Sequence, residues 1–70
     1  MEHKAVTSTS IHSIGYDPKT QELQVRYKGS GKTYSYQGVG CRDHLELEMA
    51  KSKGSHVQNV IQKKFKGREA

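Results

Sequence analysis

Between Leu23 and Lys28 the chain alternates strictly: Leu23, Val25 and Tyr27 are apolar, and Gln24, Arg26 and Lys28 are polar. A period of two means a strand with one face buried and one face wet. Gly29-Ser30-Gly31 follows and supplies the residues of a tight turn. Tyr34 and Tyr36 then fall on one face of a second strand, with Thr33 and Ser35 on the other. A two-stranded hairpin is marginal in water on its own. The rest of the chain must therefore cover its apolar face.

Upstream, Ile14 and Tyr16 alternate as a strand face should, while Ile11 is out of phase. That break predicts a bulge near His12. The run Asp17-Pro18-Lys19-Thr20-Gln21 is a turn, with proline fixing φ and the aspartate bonding its own backbone. Three antiparallel strands in a meander result.

From Cys41 the period changes. Cys41, Leu45 and Met49 recur every four residues, which predicts a helix with that stripe inward. Gly54 suits the end of this helix. Ser55 with Gln58 three residues later has the spacing of a capping box, opening a second helix. Val57, Val60, Ile61 and Phe65 form its apolar stripe. The expected fold is α+β: a three-stranded antiparallel meander followed by two helices (βββαα) packed on one sheet face. Residues 1–7 carry no pattern and are expected to be a flexible end, and 66–70 a basic tail.

Seventy residues, 31% of them hydrophobic, make one domain with a thin core. The single cysteine, Cys41, excludes a disulfide within the monomer and fits a reducing compartment. The first ten residues have no apolar signal-peptide core, and no stretch approaches the length of a membrane span. The expected location is the cytoplasm, away from membranes.

Net charge is +5, unevenly spread. Lys51, Lys53, Lys63, Lys64, Lys66 and Arg68 crowd the last twenty residues, whereas Asp43, Glu46 and Glu48 make the preceding segment acidic. A basic end attracts phosphate. The segment Lys51-Ser52-Lys53-Gly54-Ser55 adds hydroxyls, charge and the start of a helix, where free N–H groups favour anions. It lacks the pattern of a P-loop. Arg26 lies on the outward strand face, where a phosphate backbone could run. Tyr34 and Tyr36 are bulk for a core poor in other aromatics, and their hydroxyls are placed to reach a ligand at the sheet edge.

No pair among His3, His12, His44 and His56 has zinc-site spacing, and Cys41 has no partner cysteine. Glu46 and Glu48 do not share a helix face. No nucleophile has a base at a spacing that would activate it. The expectation is a binding protein that is not an enzyme and needs no metal or cofactor.

Several segments taken in order carry a resemblance: Ile14-Gly15-Tyr16-Asp17, then Leu23 to Tyr27, a glycine turn, Tyr34-Ser35-Tyr36, and Ala50-Lys51-Ser52-Lys53-Gly54 with Ile61. Together they resemble the KTSC domain family over about residues 8–65. That family includes a domain at the C-terminus of some lysyl-tRNA synthetases, so the resemblance implies RNA. It departs from the family at Val39-Gly40, where a proline is usual, and near Val57, where an aromatic is usual.

The site expected from these readings comprises Arg26, Tyr34, Tyr36, Lys51, Ser52, Lys53, Gly54, Ser55, Lys63 and Lys64. Its partner is an anionic ligand, with RNA or single-stranded nucleic acid favoured over a nucleotide. Two alternatives stand beside it. One is a nucleotide or cyclic-nucleotide signal binder, phage-encoded and homo-oligomeric. The other is a protein-interaction domain docking through the acidic segment.

Overall fold

A computed structural model describes residues 2–70. The alternation from Leu23 becomes β3 (Glu22–Tyr27) at the centre of a five-stranded sheet. Its neighbours are β2 (Ile11–Asp17) and β4 (Thr33–Tyr36), flanked by β1 (His3–Ala5) and β5 (Gly67–Glu69). All pairings are antiparallel and the order is β1-β2-β3-β4-β5. The meander is therefore five strands wide rather than three. Residues 1–7, expected to be a flexible end, and 66–70, expected to be a basic tail, each contribute a short edge strand. His3 lies opposite Gly15 and Arg68 opposite Ser35. Neither end carries an alternating apolar pattern, so backbone pairing and not side-chain burial places them.

Register fixes one apolar face. Tyr16 opposes Leu23 and Ile14 opposes Val25 on one side; Tyr36 opposes Leu23 and Tyr34 opposes Val25 on the other. The expected bulge is present between Ile11 and Ser13, and it returns Ile11 to the core with no exposed surface. The turn before β3 is held by the Lys19 amide donating to the Asp17 carboxylate at 2.9 Å.

Two helices cover that face. The first, α1, spans Cys41–Met49. The second, α2, runs over 53–64: an α-helical turn at Lys53–His56, a π-helical stretch at Val57–Ile61 and a last turn at Gln62–Lys64. Leu47, Val57 and Ile61 meet Ile11, Ile14, Leu23, Val25, Tyr36 and Val39 in one core. Val6, Tyr16, Tyr27, Tyr34 and Phe65 pack around it.

The inward stripe of α1 differs from the sequence expectation. Leu47 is its buried residue; Cys41 is exposed, and Leu45 and Met49 are 54% and 74% exposed. The reason lies in the helix's inner neighbours. Val39 is buried just before the helix, His44 stacks on Tyr16 with ring centroids 4.2 Å apart, and Asp43 meets Lys64 at 3.0 Å. These contacts rotate Leu47 inward and the other stripe out.

The helix junction also differs. The first helix stops at Met49, and Ala50 is already extended. Ser52, not Ser55, caps α2: its hydroxyl accepts from the Ser55 amide at 3.3 Å. Gly54 thus sits inside the first turn of α2 and does not end α1. It is there because that turn packs on Ser10, whose hydroxyl would collide with any Cβ at position 54.

Candidate functional site

The N-terminal segment, the end of β3 and the start of α2 meet at an open cleft of about 390 Å³ lined by Thr7, Ser8, Thr9, Lys28, Lys51, Ser52 and Lys53. Each wall has a local cause. Ser8 turns the chain into β2, its hydroxyl accepting from the amides of Ser10 and Ile11 at 3.2 Å each. Lys28 leaves β3 and donates its ammonium to the Ser8 carbonyl at 2.6 Å. Lys53 folds back to the Ala50 carbonyl at 2.7 Å, which closes the helix junction. Gly54 lets α2 approach Ser8 and Ser10 closely enough to form the third wall.

The chemistry of this lining is one-sided. Three ammonium groups and four hydroxyl-bearing residues line the cleft, and among the described residues no carboxylate does. An ammonium has three donors. Lys28 and Lys53 each give one to a backbone carbonyl and keep two, and Lys51 is exposed. Such an arrangement presents several hydrogen-bond donors on a positively charged surface.

The expected site residues separate into four places. Lys51, Ser52 and Lys53 line the cleft, with Gly54 and Ser55 in the capped turn behind them. Arg26 is on the opposite, open face of the sheet, opposite Ser13 and Thr33. Tyr34 and Tyr36 are not at the sheet edge, because β5 pairs beyond them. They line a second cleft with Tyr27, Gln62 and Gly67. Lys63 and Lys64 lie at the far end of α2, and Lys64 is engaged by Asp43.

The expected site left out Lys28 and the Thr7-Ser8-Thr9 run. Lys28 continues the polar alternation of β3 and so reads as an open-face residue, but the strand ends at Tyr27. The signal for Ser8 was the unbroken run of hydroxyls before Ile11, a sequence that favours side-chain-to-backbone turns.

The open sheet face is less suited to phosphate. Glu22 opens the central strand on this face, accepting from the Ser35 hydroxyl at 2.6 Å and from Gln24 at 3.1 Å. Those two hydrogen bonds, Ser35 first, hold its carboxyl below the usual carboxylate range and so keep it charged. His3 extends the network, touching Gln24 at 2.8 Å and Ser13 at 3.2 Å. A fixed negative charge here opposes an anion.

A third cleft, of about 530 Å³, lies beside α1 and holds Tyr16, Cys41 and His44. It mixes Lys4 with Glu2 and Glu48. The Tyr16 hydroxyl donates to the Val39 carbonyl at 2.6 Å, and burial, then Cys41, raises its pKa. Among the described residues no cluster of three histidine, cysteine or carboxylate groups could hold a metal, and no helix is long and apolar enough to cross a membrane.

The KTSC domain family model matches residues 7–65, and the chain belongs to that family. It is similar to the crystal structure of a KTSC domain protein from Yersinia pestis, with 39% identity, a TM-score of 0.92, and 99% of this chain and 96% of that one covered. It is 38% identical over 61 residues to an uncharacterized protein of Stutzerimonas stutzeri, covering 87% of this chain and 84% of the relative. A protein of Tsukamurella paurometabola is 36% identical over 61 residues, covering 87% of this chain and 90% of its own.

Proposed function

We propose that this KTSC domain is a non-catalytic, cytoplasmic binding module that holds the phosphates of RNA or single-stranded nucleic acid in the lysine cleft. The observation that carries the reading is the convergence of Lys28, Lys51 and Lys53 with Thr7, Ser8, Thr9 and Ser52 around one cleft without a carboxylate. The three lysines come from two distant parts of the chain, so the fold and not sequence proximity assembles the charge. The net charge of +5 draws a polyanion toward the surface, and the cleft gives it a defined seat. The family's occurrence beside lysyl-tRNA synthetases points the same way.

The test is fluorescence anisotropy with a labelled single-stranded RNA, a tRNA and a DNA duplex across a salt series. Binding should prefer one nucleic acid and weaken linearly on a log–log salt plot. The double variant Lys51→Glu/Lys53→Glu should lose that binding while keeping the native circular dichroism. Unchanged affinity would remove the cleft from the site. A second reading, docking on a protein partner, is favoured by the exposure of Leu45 and Met49 on one side of α1. It gains if no nucleic acid binds and a protein complex survives high salt.

A further inference from the structure

Among the described residues no lysine lines the second cleft, and it shares no lining residue with the first. It measures about 400 Å³ and is lined by Tyr27, Tyr34, Tyr36, Gln62 and Gly67. Tyr27 and Lys28 are consecutive, so one wall of each cleft comes from the same short length of chain. Tyr27 and Tyr34 meet edge to face with centroids 5.7 Å apart. β5 closes the cleft beside Tyr36. A Cβ at Gly67 would lie 2.5 Å from that ring, so only glycine lets the strand pass there. Gln62 enters from α2 immediately after the π-helical stretch, a local irregularity frequent at functional sites.

The hydrogen bonds in the cleft leave a remainder. The hydroxyls of Tyr27 and Tyr36 are 2.9 Å apart, and the Gln62 amide donates to the Tyr27 oxygen at 3.3 Å. The contact between the hydroxyls uses one of their two protons. The other hydroxyl proton and the Gln62 carbonyl oxygen have no partner among the described residues. A spare donor and a spare acceptor in an aromatic-lined cleft match a planar heterocycle carrying both groups on one edge. Each nucleobase does so on its pairing edge. Exposed Lys63 follows Gln62 and exposed Lys66 precedes Gly67, and no ion pair engages either among the described residues.

We infer that the tyrosine cleft is a nucleobase subsite, seating one base of the strand whose phosphates lie in the lysine cleft. This rests on the nucleic-acid reading above and adds to it, because phosphate binding alone needs no ring. The seat is tolerant of base identity, since all four bases present an acceptor beside a donor.

The experiment compares a mixed-sequence single-stranded RNA with inorganic polyphosphate of similar charge, using the full chain. The variants are Tyr34→Leu and Gln62→Ala, with folding followed by circular dichroism. Gln62 is exposed, so its variant keeps the test open if Tyr34→Leu fails to fold. RNA should bind more tightly than polyphosphate. Each variant should weaken RNA, by roughly 5- to 150-fold where a full stacking contact is lost, and leave polyphosphate unchanged. Equal affinity for the two ligands, with both variants silent, would overturn the base subsite while leaving the phosphate site standing. Binding of neither ligand would overturn both.

Discussion

The Lys28 ammonium donates to the carbonyl of Ser8 at 2.6 Å, tying the end of the central strand to the segment that enters β2. This bond places a charge that the strand pattern alone would send elsewhere. Lys28→Met should therefore act on binding in a measurable way. For single strands, each neutralised phosphate contributes about −0.7 to the slope of log affinity against log salt. Losing one lysine from the cleft should flatten that slope by about this amount and weaken RNA of every sequence equally. Sequence-dependent loss, or an unchanged slope, would mean that Lys28 contacts no phosphate.

Gly54 and Ser10 should be coupled. Alanine is better than glycine inside a helix by about 1 kcal/mol. At position 54 the added methyl would meet the Ser10 hydroxyl, so Gly54→Ala alone should bring no gain in stability. Ser10→Ala removes the obstructing oxygen. The double variant should then be more stable than the two single effects predict, by about 1 kcal/mol. Urea midpoints of the four proteins give the coupling, and strict additivity would show that the helix does not press on Ser10.

The two leucines of α1 separate packing from display. Leu47 is fully buried and Leu45 is 54% exposed. Leu47→Ala should cost about 2–5 kcal/mol through lost contacts and a cavity. Leu45→Ala should stay within about 0.5 kcal/mol of the parent. Thermal melts of the two variants decide it. If Leu45→Ala melted well below the parent and Leu47→Ala did not, the helix would be turned the other way.

These same residues show what can be read from the chain. Alternation located β2, β3 and β4 with their inward faces, because burial on one face imposes a period of two. The displaced Ile11 marked the bulge. In α1 the stripe of Cys41, Leu45 and Met49 had the spacing of a helix face, yet tertiary neighbours, Tyr16 stacked on His44 among them, turn Leu47 inward instead. The outer strands left no trace, since short edge strands held by backbone bonds need no particular side chains. At the site, Lys51, Ser52 and Lys53 were legible because they are contiguous. Lys28 was not, because where a strand ends is set by its partner's length.

Alkaline pH should expose the tyrosine cleft. Tyr36 is 3% exposed, and burial first, then the hydrogen bond with Tyr27, raises its pKa above the usual phenol range. An unfolded tyrosine ionises near 10. Where the folded pKa is higher, the native state holds the proton more tightly. The associated stability is then complete below about pH 10 and is lost as pH rises toward the folded pKa. Denaturant midpoints should hold steady up to about pH 9 and fall beyond 10, as far as other groups allow. Tyr36→Phe removes the titrating group, so its midpoint should fall less steeply over that range even though it starts lower. That lower start reflects the Tyr27 hydroxyl left without its partner. Parallel curves for the parent and Tyr36→Phe would show that the Tyr27–Tyr36 pair does not hold its proton through folding.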